Sequence, residues 1–308
     1  MVLISKLLRV MKTEHGPEPT WDYRKHLLLF LMIGLLSAPV LLSAANAKKE
    51  APLGWKKELV GNLNISQNSF DNWSQGGSNM LAWQLNLNGH FVENRKQYSW
   101  ANHSKLVYGM SRIAGSEARK SVDEIKLGTV YTRKLGIHVN PYVSLKLDTQ
   151  FTNGYKYKDT TRTKISNFMD PGYFVESFGA GWAASKWLKT RVGFALKQTI
   201  TRDFPKPYAD NPATPDEIEK IKSEMGFESV IDLKTKLHKN ILLTSKLELF
   251  SNLDALNQTD VQWDTVFNTK ISKFICVNLN VKLYYDRDVS PRRQIKQALA
   301  LGFTYSFI

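Results

Sequence analysis

The sequence predicts an all-β fold: a closed, antiparallel transmembrane β-barrel of about twelve strands in an up-and-down meander. Along segment after segment, large apolar residues alternate with small or polar ones, which is the period of a strand with one apolar face. Several of these segments exceed the 5–6 residues typical of soluble strands and reach the roughly 9–11 residues that a tilted strand needs to cross a bilayer. The connections also alternate between short and long, as in outer-membrane barrels.

The first 54 residues precede the predicted barrel. The basic segment Arg24-Lys25-His26 stands before an apolar run over 27–42, and Ala45-Asn46-Ala47 follows. This order is typical of a secretory signal peptide, and the run is shorter than the roughly 20 residues of a membrane-spanning helix. We therefore predict export to the bacterial outer membrane. The predicted divisions are an N-terminal extension and signal peptide at 1–47, a periplasmic lead-in at 48–54 and the barrel at 55–308.

The second strand shows the alternation most clearly. Leu81, Trp83 and Leu85 would face lipid, while Gln84 and Asn86 would face the interior. The last strand alternates in the same way and ends on aromatic residues beside the chain terminus. By this pattern we predict strands at 55–66, 81–91, 98–110, 124–131, 143–151, 174–184, 188–200, 231–237, 241–249, 261–271, 275–283 and 294–308.

The predicted connections are sorted by length, which indicates a barrel rather than a soluble sandwich. Short turns follow the even strands, near 93–96, 136–138, 185–186, 238–240 and 272–273. Longer loops follow the odd strands, at 67–79, 112–121, 152–172, 201–228, 252–259 and 286–293. An even strand count then places both termini in the periplasm. Aromatic residues near both strand ends indicate two interfacial girdles.

One long loop carries a helix signal. Thr214-Pro215-Asp216-Glu217 resembles a capping box with proline at the first helical position. Ile218, Ile221 and Met225 follow at helical spacing before Gly226. We therefore predict a helix of two to three turns in this loop, either solvated or covering the outer mouth.

No motif indicates an enzyme, a cofactor or a metal site. The run 179–184 fits the dinucleotide fingerprint by letter, but a strand follows it where that motif needs a helix. The register set by the 93–96 turn predicts that His90 and His103 lie about four residues apart on the interior side. Cys276 is the one cysteine, so no internal disulfide can form. We predict no enzymatic activity.

Alternation places many charged side chains in the lumen, with cations outnumbering anions. The predicted lumen cations are Lys105, Lys126, Lys146, Lys189, Arg191, Lys197, Lys234, Lys236, Lys246, Lys270 and Lys282, and the predicted anions are Glu124, Asp148, Glu176, Asp232, Glu248 and Asp264. Two interpretations remain open. The cations form a selective path for anionic solutes, or the charges pair into a plug that stabilises a small barrel.

The chain is strongly basic, with a formal net charge of +14. Its Lys and Arg residues are scattered singly through strands and loops, without a compact motif that would present them to nucleic acid. We therefore predict no nucleic-acid partner. The expected partners are outer-membrane lipids and small anionic solutes, and the expected state is a monomer.

The first long loop contains a distinctive motif. Asn72-Trp73-Ser74-Gln75-Gly76-Gly77 places two glycines beside a tryptophan that could fold back into the barrel mouth. Our hypothesis is that Asn72, Trp73, Gly76 and Gly77 partly constrict the entrance. The alternative is a tight turn with an interfacial tryptophan.

Several short motifs together resemble an uncharacterised, domain-of-unknown-function family of bacterial outer-membrane barrel proteins, over nearly all of 54–308. The motifs are 72–79, Trp100-Ala101-Asn102, Thr149-Gln150-Phe151, Gly154-Tyr155 and 166–173. This resemblance implies the fold and the compartment and brings no substrate or catalytic residue. The function we predict is a channel or binding barrel for small, anionic solutes. The alternatives are a non-conducting structural or surface-interaction barrel and a membrane-embedded hydrolase.

Overall fold

The computed structural model describes residues 52–308 except for some short stretches. The exceptions are 72–76, 136–138, 159–160, 184, 186, 207, 212–213, 215, 257, 288–289 and 291. The signal peptide and its cleavage site lie outside the described residues, so the division of the chain before residue 55 stays a prediction.

Twelve strands in the described part of the chain form the barrel wall, and two more form a separate hairpin. The wall strands are β1 (Gly54–Asn68), β2 (Met80–Asn94), β3 (Tyr98–Ile113), β4 (Arg119–Arg133), β5 (Val139–Thr149), β8 (Gly172–Trp182), β9 (Leu188–Ile200), β10 (Ile221–His238), β11 (Ile241–Asn252), β12 (Thr259–Lys270), β13 (Ile275–Tyr285) and β14 (Gln294–Ser306). The hairpin strands are β6 (Gly154–Lys158) and β7 (Thr161–Ser166).

The barrel closes between its first and last strands. β1 pairs with β14 from Val60 opposite Ser306 to Asn64 opposite Gly302, and the Phe307 N–H donates to the Leu59 carbonyl at 2.8 Å. Every wall strand is antiparallel to its neighbours, and the meander is interrupted once, where β5 pairs with β8 around the hairpin. Closure leaves no unpaired strand edge, as a wall in contact with lipid requires. The predicted twelve-stranded closed barrel is confirmed.

The two faces of the wall differ as the alternation predicts. Leu85 and Leu299 project outward and are exposed, whereas Val230 and Cys276 project inward and are buried. Aromatic side chains contact one another on the outside at both ends of the wall. Near the short turns, the rings of Trp55 and Trp100 are 6.3 Å apart between centroids. Near the long loops, the rings of Trp83 and Tyr108 are 6.0 Å apart.

The glycine-rich wall between β8 and β9 is crowded. Gly179 lies directly opposite Gly193, and a Cβ on either residue would overlap the backbone of Val192 or Phe178 on the facing strand. Packing therefore accounts for the glycine at 179, the first residue of the 179–184 run. β9 follows it in place of the helix that a dinucleotide site requires.

The predicted helix after Thr214 is wrong, because strand β10 already begins at Ile221. Ile221 and Met225 point outward and are largely exposed, which fits the strand period as well as the helical spacing. The local capping signal is weaker here than the cross-strand pairing of β10 with β9 and β11. No helix among the described residues is both long and apolar enough to span a membrane.

The sorting of connections by length is correct for the largest loops and wrong for one. The connections over 150–171, 201–220 and 286–293 are long and lie at the same end. The β3–β4 connection at 114–118 is as short as a turn at the opposite end, because both strands continue beyond the predicted bounds to Ile113 and Arg119.

Two of the long connections are joined at a buried carboxylate. Asp170, at the end of the 150–171 connection, is 1% exposed. Its side-chain oxygens accept hydrogen bonds from the backbone N–H groups of Arg202 at 3.0 Å and Asp203 at 2.8 Å. These bonds satisfy the buried carboxylate and hold the start of the 201–220 connection beside the start of β8.

Candidate functional site

The candidate site is the barrel lumen, where the wall brings distant charged residues together. The structure places the predicted residues at three levels. Lys105, Lys126, Lys146, Asp148, Lys246, Glu248, Asp264 and Lys282 lie at the middle; Lys189, Arg191 and Lys234 lie toward the short turns; Lys197 lies toward the long connections.

Ion pairs cross the middle of the lumen. Lys105 on β3 pairs with Asp264 on β12 at 2.9 Å, and these strands are five positions apart around the twelve-strand ring. Lys282 on β13 pairs with Glu124 on β4, also five positions away. Side chains from almost opposite walls therefore meet, and the lumen is bridged at this level.

Further pairs extend this bridge sideways. Lys146 contacts both Glu228 and Glu248, the latter at 3.0 Å, and Lys246 lies 2.8 Å from Glu248. Lys126 pairs with Asp148 at 2.8 Å. We call these ten residues the central network: Lys105, Lys126, Lys146, Lys246, Lys282, Glu124, Asp148, Glu228, Glu248 and Asp264.

The central network is electrically neutral, with five cations and five anions. The predicted excess of cations, which concerned the lumen as a whole, is not found at this level. The sequence reasoning missed Glu228, because it assigned 201–228 to a loop containing a helix, whereas β10 already begins at Ile221. The alternation of Met225 and Phe227 with Glu224 and Glu228 was the signal that could have revealed it.

Glu176 does not face the lumen, contrary to the prediction. On β8 the inward positions are Ser177 and its odd-numbered neighbours, while Glu176 shares the outer face with exposed Phe178. Its partner in the β5 register is Leu145, which is also exposed on the outside. The sequence left this register undecided because small residues occupy both faces of the strand.

Toward the long connections, one lysine lies among three carboxylates. The Lys197 Nζ is 2.6 Å from Asp260, 3.2 Å from Asp286 and 3.5 Å from Glu224. The Tyr284 hydroxyl also donates to Asp286 at 3.1 Å. Asp260 and Asp286 lie at strand ends just beyond the predicted lumen segments, so the sequence reasoning did not select them. A second lysine, Lys222, lies 3.2 Å from Glu224, so the described residues of this loop-end cluster comprise three anions and two cations.

A polar cavity of about 330 Å³ lies between this loop-end cluster and the central network. Its walls include Lys126, Asp148, Tyr173, Lys197 and Gln262. Ionic and hydrogen-bonding groups of both signs therefore surround a volume that could hold a small polar solute.

Toward the short turns the lumen is richer in cations. Lys189 and Lys234 both interact electrostatically with His90, and Arg191 and Lys246 do so with His103. The two histidines are paired directly opposite each other on β2 and β3. The predicted four-residue offset is therefore wrong: Asn94 pairs with Ser99 at the turn, which sets a different register from the one assumed.

The predicted mouth residues Asn72, Trp73 and Gly76 lie outside the described residues, so their role stays a prediction. Gly77 is described, with φ of +145°, and a Cβ there would lie 2.8 Å from the Phe70 ring. Both observations require glycine at this position. Across the described residues, no group of three or more His, Cys, Asp or Glu side chains is arranged to hold a metal.

Comparison with known sequences gives one family match. A family model described as "Protein of unknown function (DUF3078)" matches residues 65–155, less than a third of the chain. No curated protein sequence matches.

Among solved structures, the translocator domain of the autotransporter NalP from Neisseria meningitidis is similar at 9% identity and a TM-score of 0.38, covering 90% of this chain and 97% of that one. The COG4313 outer membrane channel from Pseudomonas putida F1 is similar at 10% identity and a TM-score of 0.40, covering 85% and 98%. At these scores the likeness supports no statement on function. The family match confirms the predicted resemblance to a family of unknown function, over a shorter segment than expected.

Proposed function

We propose that this protein is a bacterial outer-membrane barrel, exported by its signal peptide, that passes or binds small polar solutes in its lumen. The observation that carries the proposal is the 330 Å³ polar cavity beside the central network. An apolar outer face and a charged interior are what a wet lumen in a lipid bilayer requires. Ion pairs of the central network cross the path, so a solute would pass between these side chains or displace them.

A preference for anionic solutes would arise at the turn end of the lumen. The central network is neutral and offers no net charge to select by. Lys189 and Lys234 lie toward the short turns, where cations near the mouth attract anions and repel cations. The selectivity is therefore expected to depend on these two lysines more than on those of the network.

The location and oligomeric state can be checked first. Membrane fractionation should place the processed chain in the outer membrane, and unheated electrophoresis should show a faster-moving folded form. Light scattering on the purified barrel should give one copy per detergent micelle. Recovery of the chain in the soluble periplasmic fraction would contradict the proposal.

Planar-bilayer recordings test conduction. The double variant Lys105→Gln, Asp264→Asn removes a pair that crosses the lumen and leaves the net charge unchanged, so its conductance should exceed that of wild type. The matched control is Arg162→Gln, Glu117→Gln, an exposed pair at 3.4 Å outside the wall. Under a salt gradient, Lys189→Gln, Lys234→Gln should lower the preference for anions.

A non-conducting structural barrel is the second candidate. The same central network favours it, because pairs such as Lys105 with Asp264 join almost opposite walls. An absence of currents from wild type and from the Lys105→Gln, Asp264→Asn variant, with both shown to be folded, would establish this candidate and refute conduction.

A further inference from the structure

Arg191 has an unusual pair of donors in the turn-end part of the lumen. Its Nε and Nη2 atoms are buried and have no hydrogen-bond partner in the described part of the chain. Burying a charged donor without an acceptor is costly. The Nε and Nη2 groups form one edge of the planar guanidinium, the edge that binds a carboxylate or phosphate through two parallel hydrogen bonds.

The carboxylates around Arg191 are not placed to fill this edge. Asp232 approaches only the Nη1 atom, at 3.9 Å, which is beyond hydrogen-bond distance. Glu228 accepts a hydrogen bond from Ser177 at 2.6 Å and also pairs with Lys146. The Tyr142 ring lies 5.8 Å from the guanidinium carbon and offers its π face rather than an oxygen acceptor.

The position opposite this arginine carries no side chain. Gly181 lies directly opposite Arg191 in the β8–β9 register. A Cβ at Gly181 would make only ordinary van der Waals contacts, the nearest atoms being the Asn140 carbonyl oxygen at 3.7 Å and the Arg191 Cβ at 3.8 Å. Packing therefore demands glycine at 179 and 193 but not at 181.

Charges of both signs lie around this arginine. Arg191 and Lys246 lie close enough to His103 to interact with it electrostatically, and so does Glu248. Asp232 and Glu228 act on Arg191 itself. An oxyanion at Arg191 would therefore gain from the guanidinium and the nearby lysine, against the repulsion of these carboxylates.

We infer that the unpartnered edge of Arg191, with no side chain opposite it at Gly181, is a binding site for a small oxyanion, a carboxylate or phosphate group, that enters the lumen from the turn end. The Nε and Nη2 groups donate to two oxygens of the ligand. Both nitrogens are covered in this structure, so the ligand reaches them only when neighbouring side chains move aside. The inference rests on the proposed function only for the route by which the ligand reaches the site.

Isothermal titration of the purified barrel in detergent with inorganic phosphate, at constant ionic strength, tests the site. Wild type should bind phosphate. Arg191→Lys keeps the charge and loses the bidentate edge, so affinity should fall about tenfold or more. Gly181→Val adds bulk opposite Arg191 without changing any charge and should weaken binding comparably. Arg202→Gln, which changes an exposed loop arginine, is the control and should bind as wild type does.

Two results would overturn the inference: no phosphate binding by wild type above the micelle blank, or unchanged binding in both Arg191→Lys and Gly181→Val. The Gly181→Val variant keeps the test decisive if substitutions of Arg191 fail to fold, as judged by unheated electrophoresis. Conduction is measured separately. Phosphate binding without currents would support the site and refute conduction, whereas currents without phosphate binding would do the reverse.

Discussion

The pair of Lys146 with Glu228 should show how much of the barrel's stability depends on compensated charge. Glu228 is 1% exposed and contacts Lys146 and Ser177. In Lys146→Met, the buried carboxylate keeps the Ser177 hydroxyl and the more distant charge of Arg191. Removing one partner of a buried pair typically costs about 3–5 kcal/mol, so the free energy of unfolding should fall by that amount.

The reverse substitution should cost less. In Glu228→Gln, the Lys146 ammonium still has Glu248 at 3.0 Å, and the new amide oxygen can still accept from Ser177. We expect a loss of about 1–2 kcal/mol, the value of a modest hydrogen-bond change. The double variant Lys146→Met, Glu228→Gln leaves no uncompensated charge at this point, so it should be more stable than Lys146→Met alone by about 2 kcal/mol.

Urea unfolding in detergent micelles, followed by the loss of the fast-moving folded form in unheated electrophoresis, gives the three free-energy differences. The exposed pair Arg162 with Glu117 is the control, and its loss should change stability by less than about 1 kcal/mol. Equal costs for the two single variants together with additivity in the double variant would refute the reasoning, because they would show that the charges do not compensate each other.

Three further predictions follow from local geometry. Gly193→Ala should lower stability by about 1–3 kcal/mol in the same assay, since its Cβ would overlap the Phe178 carbonyl. Cys276, fully buried, should resist maleimide in the folded barrel and react in urea. Hydrogen bonds from the Thr214 hydroxyl and then the Asn211 N–H lower the pKa of Glu219 from 4.5 to about 2. The stability that these two bonds give to the 201–220 connection is therefore fully present above about pH 4.5 and is lost as the pH falls through about 2. Glu219→Gln should speed proteolysis of that connection at neutral pH.

The sequence predicted the wall well, because alternation within a single strand is enough to assign its two faces. Leu85 between Gln84 and Asn86 indicates which side of β2 faces outward, without any information on the neighbouring strands. The errors came where a local signal competed with pairing. Thr214-Pro215-Asp216-Glu217 has the composition of a helix start, yet the Thr214 hydroxyl donates to Glu219 and the chain enters β10 two residues later.

The site was less predictable than the wall, because its contacts join residues far apart in the sequence. Alternation indicated that Lys105 and Asp264 face the lumen but could not indicate that they meet, since that depends on the shear of the whole barrel. The His90 and His103 pairing shows the same limit on a smaller scale. The β2–β3 turn has a different register from the one assumed, and this difference alone places His90 directly opposite His103 rather than four residues away.

The charge of the lumen changes along its axis, while its middle is neutral. Near the loop end, Lys197 and Lys222 face Asp260, Asp286 and Glu224, and toward the turns Lys189, Arg191 and Lys234 create the opposite excess. Exposure to water does not explain this order, because Glu224 and Asp286 are 6% and 4% exposed while Lys105 and Asp264 at the middle are 30% and 25% exposed. A barrel with this distribution can hold its walls together by pairing at the middle and still present opposite charge to solutes at its two ends.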